Sequence, residues 1–154
     1  MRIVLQRVKY ASVKVDGKVT GEIKHGILAL VGFKEGDLES YLKPMAEKMI
    51  GLRIFEDENE KMNLSLSDVD GELLAVSQFT LYADCKKGKR PSFTDAMNPA
   101  KADDFYKEFI KICNEITGKE TKTGIFGTDM KVELLNDGPV TIILDSDEII
   151  KNRF

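Results

Sequence analysis

The feature that most constrains the fold is an uninterrupted apolar run at residues 27–33, which reads Ile-Leu-Ala-Leu-Val-Gly-Phe. Seven residues is a typical strand length and is short for a buried helix. Since no polar residue interrupts the run, neither face of such a strand can lie in water. The run therefore predicts a central strand that is covered on both faces.

The segments before this run alternate apolar and polar residues with the strand period of two. Alternation over residues 2–8 and 11–15 predicts two strands, and Asp16-Gly17 predicts a tight turn into a third. The start of the chain is therefore expected to be a β-meander. Further strands are predicted at residues 130–135 and 140–144.

Two segments carry apolar residues at helical spacing. The first covers residues 38–52, with Asp37 or Ser40 as its N-cap, and Pro44 must either kink this helix or lie in its first turn. The second begins at Asn98-Pro99, an N-cap followed by proline, and ends at Gly118. The pattern predicts an α+β fold with two long helices packed against strongly curved antiparallel or mixed sheets.

Length and composition place the chain in a broad class. Its 154 residues fit one domain, 1–154, and the 42% hydrophobic content indicates a globular chain. No run has the length of a membrane span, and the N-terminal residues lack a signal-peptide cleavage site. Cys85 and Cys113 have no metal-binding spacing and indicate a reducing compartment. We expect a cytoplasmic protein that does not bind membranes.

A second apolar run, residues 73–76, is followed by Ser77, Gln78 and Thr80 around a single Phe79. We interpret residues 73–81 as one strand. Its polar end either emerges into solvent or forms part of a site, because buried polar groups are costly unless they are bonded or used.

The catalytic possibilities are narrow, since His25 is the one histidine and lies in a turn-like Lys-His-Gly. A histidine-dependent hydrolase would have to use it, and a solvated turn residue is the simpler interpretation. No phosphate loop or dinucleotide fingerprint is present. We therefore predict no metal and no cofactor. The groups that remain for catalysis are hydroxyls, amides and backbone N–H groups.

Lys86, Lys87, Lys89 and Arg90 form a cationic run directly after this polar segment. Because the net charge is −3, contact with RNA requires such a local patch. The alternative is a solubilising surface loop.

The segment Asn136-Asp137-Gly138-Pro139 is a turn by composition. It is either a hairpin turn, with proline starting an edge strand, or a rigid tip with a cis Gly138–Pro139 peptide. Only about one X–Pro bond in twenty is cis, so sequence alone favours trans.

Three motifs in this order resemble the D-aminoacyl-tRNA deacylases, also described as the D-tyrosyl-tRNA(Tyr) deacylase family. They are Ser-Gln-Phe-Thr-Leu at residues 77–81, Gly-Lys-Arg-Pro-Ser-Phe at 88–93 and Asn-Asp-Gly-Pro-Val-Thr at 136–141. The resemblance runs from residue 1 to about residue 145. With it, the expected fold becomes a barrel-like core of curved sheets with two long helices on one side.

The resemblance implies a homodimer that hydrolyses the ester of D-aminoacyl-tRNA, and of mischarged glycyl-tRNA, with the active site at the subunit interface. It implies that Gly138-Pro139 is cis and enters the partner's site, where it rejects L-amino acids, and that Arg7 orients this motif. Lys86, Lys87, Lys89 and Arg90 are expected to contact the tRNA. Phe126 and Met130 match a segment near the terminal adenosine.

Two mechanisms are open: a nucleophilic Thr80, or water activated with help from the ribose 2′-hydroxyl. Because no base is paired with Thr80 in the sequence, we favour Ser77 and Gln78 as orienting groups, with the Phe79 and Thr80 backbone N–H groups as an oxyanion hole. The rival functions are a non-catalytic tRNA-binding module and a hydrolase of free D-aminoacyl esters. A sister lineage with a trans Gly-Pro is disfavoured by the intact Ser-Gln-Phe-Thr.

Overall fold

Over residues 1–150, which the computed structural model describes, the chain forms eight β-strands and three α-helices. In chain order they are β1 (Arg2–Val15), β2 (Lys18–Ile23), β3 (Gly26–Gly32), α1 (Leu42–Gly51), β4 (Phe55–Glu56), β5 (Met62–Leu64), β6 (Glu72–Ser77), α2 (Pro99–Thr117), β7 (Lys122–Thr123), β8 (Lys131–Asp145) and α3 (Ser146–Ile149). Short 3-10 helices at Glu39–Tyr41 and Phe79–Tyr82 precede α1 and follow β6. The predicted domain end at residue 154 lies outside the described residues.

The central strand is β3, as its apolar run predicted. It pairs antiparallel with β1 on one edge and parallel with β6 on the other. Ile27, Ala29 and Val31 face a core shared with the helices, whereas Leu28 and Leu30 face a second cluster on the opposite side of the sheet. The prediction of a strand covered on both faces is confirmed.

β1 is one 14-residue strand where the sequence predicted two. One of its edges pairs first with β3, along residues 2–8, and then with β2, along residues 11–15, while β8 pairs with it on the other edge. β1 therefore bends, and it carries β2 towards the far edge strand β7. A Cβ on Gly21 would overlap the Thr123 carbonyl of β7, so the two edges nearly meet. The barrel-like sheet is confirmed.

Both long helices pack on the same side of this sheet, as predicted, and they also pack on each other. α2 begins as expected, because the Asn98 carboxamide oxygen accepts hydrogen bonds from the N–H groups of Ala100 and Lys101. It ends at Gly118, whose φ of 69° is the left-handed conformation that glycine adopts without strain. Within residues 1–150, no helix is long and apolar enough to cross a membrane.

The start of α1 differs from the prediction. Neither Asp37 nor Ser40 caps it; the N-cap is Tyr41, with no side-chain capping bond. The buried Asp37 carboxylate instead lies 2.7 Å from the Met1 amine and accepts a 2.8 Å hydrogen bond from the Lys34 N–H. Pro44 lies in the first turn of the helix, where a missing N–H costs no intrahelical bond.

β8 is also one strand where two were predicted, and the hairpin interpretation of residues 136–139 is wrong. Both halves of β8 pair antiparallel with β1. Gln6 is opposite Thr141 and Val8 is opposite Asn136, so one residue of β1 faces four of β8. Residues 137–140, which include Gly138 and Pro139, therefore form a large bulge within a continuous strand, which we call the 137–140 bulge.

Candidate active site

The polar segment after β6 is a tight turn and not the end of a strand. β6 stops at Ser77, and Phe79–Tyr82 forms a 3-10 helix, so the predicted strand over residues 73–81 is four residues too long. The Gln78 N–H donates to the Val31 carbonyl at 2.8 Å, which holds the turn against β3. Gly32 permits this approach, since a Cβ there would lie 2.7 Å from the Gln78 carbonyl oxygen.

This turn exposes backbone donors. The first N–H groups of a helix have no intrahelical acceptor. Among residues 1–150 we find no acceptor for the N–H groups of Phe79 and Thr80, which lie side by side in the first turn. The Gln78 carboxamide donates a hydrogen bond to the Thr80 hydroxyl. Ser77 and Gln78 are half-buried, whereas Phe79 and Thr80 are exposed.

Arg2 fixes the far end of the same turn. Its Nη1 donates to the Leu81 carbonyl at 2.8 Å, and its guanidinium lies 4.8 Å from the centre of the Tyr82 ring. The Arg2 Nε also donates to the Asp145 carboxylate at 3.0 Å. The turn is therefore held by β3 at its start and by β1 at its end.

Among residues 1–150, no basic side chain is hydrogen-bonded to the Thr80 hydroxyl. This hydroxyl contacts the Gln78 carboxamide. His25 is next to Gly26, which pairs with Glu72, while Ser77 is five residues further along β6. At about 3.3 Å per residue this separation is about 17 Å, too far for proton transfer.

Neither of the two cysteines lies within this turn. Burial raises the pKa of Cys113 to about 12, so its reactive thiolate form is scarce at neutral pH. Cys85 is exposed, three residues beyond the end of the 3-10 helix at Tyr82. Within residues 1–150, no group of three or more His, Cys, Asp or Glu side chains could hold a metal ion. The groups at the turn are hydroxyls, a carboxamide and backbone N–H donors.

The 137–140 bulge is held by the buried Arg7. Its Nε donates to the Asp137 carbonyl at 2.9 Å, and its Nη1 donates to the Ile54 carbonyl at 2.7 Å. The Gly138–Pro139 peptide is cis, which agrees with the resemblance. Gly138 has a φ of 135°, and a Cβ there would lie 2.9 Å from Arg7 Nη2, so only glycine fits.

Asn136 holds the bulge from its other side, a role that the sequence analysis missed. Its side-chain oxygen accepts from the Val140 N–H at 2.9 Å, and its Nδ2 donates to the Thr141 hydroxyl at 3.0 Å. The known tendency of asparagine to bond nearby backbone groups was the available signal. Gly138 and Pro139 are exposed at the tip of this braced segment.

The turn and the bulge do not meet within one subunit. Arg7, which holds the bulge, is opposite Ile27, and Ile27 is opposite Leu73. Ser77 is four residues beyond Leu73, about 13 Å along the strand. β8 and β6 are also separated by β1 and β3, which adds about three strand spacings across the sheet.

The cationic residues occupy an exposed loop at residues 84–92, which we call the cationic loop. Backbone hydrogen bonds in both directions between Asp84 and Ser92, of 2.7 and 2.9 Å, close its base. Its exposed cationic side chains have no ion-pair partner among residues 1–150; they are Lys86, Lys87, Lys89 and Arg90. The loop starts two residues after the 3-10 helix, so it adjoins the candidate site.

Phe126 and Met130 lie in different surroundings. The Phe126 ring is 6.3 Å from the Tyr106 ring and lines an open cavity of about 460 Å³ beside α2. Tyr106 donates to the Ala75 carbonyl of β6, so the cavity borders the strand that leads to the turn. Met130 packs instead on the second cluster, and its sulfur lies against Gly124, where a Cβ would overlap it.

Comparisons with known proteins show to which family the chain belongs. The family model described as D-Tyr-tRNA(Tyr) deacylase matches residues 4–145. A D-aminoacyl-tRNA deacylase of Clostridium tetani is 54% identical over 97% of this chain and 99% of its own. One of Koribacter versatilis is 56% identical over 95% of this chain and 97% of its own.

Two solved structures share the fold. A c-Myc DNA unwinding element binding protein superposes with a TM-score of 0.89 at 41% identity, over 95% of this chain and 99% of that one. A protein described as a probable eukaryotic D-amino acid tRNA deacylase has a TM-score of 0.81 at 16% identity, over 94% and 98%. Because the family model matches residues 4–145 of the chain and relatives are more than 50% identical to it, the chain belongs to the D-Tyr-tRNA(Tyr) deacylase family.

Proposed function

We propose that this protein hydrolyses the ester between a D-amino acid and the 3′-terminal adenosine of tRNA, and that it also acts on mischarged glycyl-tRNA. Water adds to the ester carbonyl carbon and gives up one proton, which leaves a tetrahedral oxyanion and supplies the proton for the leaving oxygen. The bond from this carbon to the ribose oxygen then breaks, and the ribose oxygen takes up a proton. The products are the free amino acid and tRNA. Membership of a deacylase family supports this reaction.

The observation that carries the proposal is the pair of N–H groups at Phe79 and Thr80, which have no acceptor within residues 1–150. Adjacent backbone donors that point to one place can stabilise an oxyanion as it forms. Loss of one such donor costs about 3 kcal/mol of barrier, or about a hundredfold in rate. Aminoacyl esters are labile enough for this stabilisation to matter without a strong base.

Ser77 and Gln78 orient the ester in this mechanism, and the Thr80 hydroxyl has a secondary role. The Thr80 oxygen already accepts a hydrogen bond from the Gln78 carboxamide, and no other side chain among residues 1–150 is hydrogen-bonded to this hydroxyl. The ribose 2′-hydroxyl of the substrate, which is on the carbon next to the esterified oxygen, then positions the water.

Chirality is tested by exclusion at the 137–140 bulge of a partner subunit. The exposed Gly138-Pro139 tip is rigidly braced by Arg7 and Asn136, and it is remote from the turn of its own subunit. A homodimer would bring the bulge of one copy to the turn of the other. Its carbonyl groups would then occupy the space that an L side chain requires, while glycine and D side chains pass.

The tRNA itself is held by the cationic loop, where Lys86, Lys87, Lys89 and Arg90 contact the phosphate backbone of the acceptor stem. The terminal adenosine is held in the segment that contains Phe126 and Met130. These contacts favour aminoacyl-tRNA over small D-aminoacyl esters, and a cytoplasmic location fits that substrate.

The test is one matched set of substrates. The same tRNA is charged with a D-amino acid, with its L enantiomer, or with glycine, and release of the amino acid is followed at one enzyme concentration. We expect the D-aminoacyl and glycyl esters to be cleaved and the L ester to remain intact. Equal cleavage of both enantiomers would contradict the exclusion mechanism. Binding of all three without release would identify a non-catalytic tRNA-binding module.

A second measurement tests the subunit arrangement. Sedimentation equilibrium is expected to give twice the mass of the 17.3 kDa chain. An active monomer would contradict a site completed by a second copy.

A further inference from the structure

Two aromatic rings are exposed together beside the candidate oxyanion donors. Phe79 is 57% exposed and Phe93 is 39% exposed, and their ring centres are 5.1 Å apart at an interplanar angle of 70°. Neither residue belongs to a buried cluster of the described chain. The edge-on pair Phe33–Phe105, by contrast, is buried in the core under the helices. Folding alone therefore does not account for the exposed pair.

The position of the pair links the two parts of the candidate site. Phe79 supplies one of the N–H groups proposed for the oxyanion, and Phe93 directly follows Ser92, which closes the cationic loop with Asp84. The rings therefore lie between the point where the ester would react and the cations that would hold the phosphate backbone.

Exposed aromatic rings beside unpaired cations are the usual combination for binding single-stranded nucleic acid. Bases stack on the rings, while the cations follow the backbone. An edge-on pair suits this role, because the ring that presents its edge keeps its own faces open to a base. The nucleotide that precedes the esterified adenosine is the one that has to pass between the ester and the cationic loop.

We propose that Phe79 and Phe93 form a stacking platform for the unpaired nucleobase immediately preceding the terminal adenosine. This inference rests on the proposed function for the direction of the RNA. Phe93 is then a specificity residue for a single-stranded 3′ end, and small esters that lack this base gain nothing from it.

The test measures binding separately from hydrolysis. An uncharged RNA hairpin with the single-stranded 3′ end of tRNA carries 2-aminopurine, whose fluorescence falls on stacking, at the penultimate position. A second hairpin is abasic there. Both are titrated with the wild type, with Phe93→Leu, which removes the aromatic face, and with Phe93→Tyr, which keeps it. Met62→Ala, at a residue that is 58% exposed outside the site, is the control for loss of an exposed apolar side chain.

We expect the wild type to quench the fluorescence and to bind the abasic hairpin about tenfold more weakly than the intact one. Phe93→Leu should bind the intact RNA about tenfold more weakly than the wild type does, and should bind the abasic RNA as well as the wild type does. The affinities of Phe93→Tyr and Met62→Ala should stay within twofold of the wild type. Hydrolysis of D-aminoacyl-adenosine, which has no preceding base, should keep the same kcat in Phe93→Leu.

Three results would overturn the proposal. The first is that Phe93→Leu binds the abasic RNA about a hundredfold more weakly than the wild type binds the intact RNA. The losses from removing the ring and from removing the base would then be independent. Another is a fall in kcat on D-aminoacyl-adenosine, which would make Phe93 a support for the turn. The third is weakened subunit association with unchanged RNA affinity, which would assign the rings to a subunit contact. Failure of the proposed hydrolysis leaves the binding result intact, so the two failures are distinguishable.

Discussion

Arg7 provides the sharpest test of how the 137–140 bulge is held. The side chain is 5% exposed, and two of its nitrogens donate to carbonyl groups on different segments, Ile54 at 2.7 Å and Asp137 at 2.9 Å. A lysine keeps the charge but presents a single point donor, so Arg7→Lys can satisfy one of these carbonyls and not both. Arg7→Met satisfies neither.

The magnitudes follow from the number of bonds lost. A hydrogen bond to a charged group contributes about 1.5–3 kcal/mol. Arg7→Lys should therefore lower the free energy of unfolding by about 1.5–3 kcal/mol, and Arg7→Met by about 3–6 kcal/mol. The ion pair with Glu56 adds little, since its closest atoms are 3.8 Å apart and Glu56 is half exposed.

Urea unfolding followed by circular dichroism measures these values, and Lys9→Met is the matched control. Lys9 pairs with the Asp137 carboxylate at 3.5 Å but its side chain is 60% exposed, so its removal should cost no more than about 1 kcal/mol. The folded variants are then compared for hydrolysis of L- and D-aminoacyl-tRNA. Arg7→Lys should raise the L-to-D ratio, because the bulge is no longer fixed. If Arg7→Lys unfolds like Lys9→Met and keeps the wild-type ratio, the bracing argument is refuted.

Three further predictions concern the turn, the cationic loop and His25. Thr80→Val should keep the single-turnover rate of D-aminoacyl-tRNA cleavage within about tenfold of wild type. Complete loss of cleavage in a folded variant would indicate that the Thr80 hydroxyl is the nucleophile. Replacing Lys87 and Lys89 together with glutamate should weaken tRNA binding and reduce the salt slope of log K by at least about 2, and an unchanged slope would mean that the loop is only solubilising. Partial burial, helped by the nearby Lys9, lowers the pKa of His25 below its usual 6.5. The unfolded chain then binds the proton more readily, so the unfolding free energy of wild type should fall slightly relative to His25→Asn between pH 7 and pH 5, a difference that urea titrations at both values would reveal.

The parts of the fold that local sequence determines were predictable. The apolar run of β3 could be identified without knowing its neighbouring strands, because a strand with no polar residue must be covered on both faces. The start and end of α2 were equally clear, since Asn98 and Gly118 satisfy the helix ends through their own chemistry.

The parts that depend on distant residues were not predictable in this way. The chain turns after Ser77 because Gly32, on another strand, leaves room for it. The bulge in β8 looked like a hairpin, since nothing local reveals that both of its flanks pair with β1. The sequence predicted Asp37 as a possible helix cap, but its carboxylate instead forms an ion pair with the buried Met1 amine, 36 positions earlier. Phe93 and Asn136 lie within the motifs that carry the resemblance, but the resemblance assigned no role to either residue.

β1 holds both halves of the candidate site, with Arg2 bonded to the turn and Arg7 bonded to the bulge. An insertion or deletion of one residue between them would send one of the two side chains to the opposite face of the sheet, because the side-chain period of a strand is two. The five-residue interval from Arg2 to Arg7 should therefore be the stretch least able to change length as the protein diversifies. The cationic loop, closed at its base by Asp84 and Ser92, can grow or shrink without moving either half.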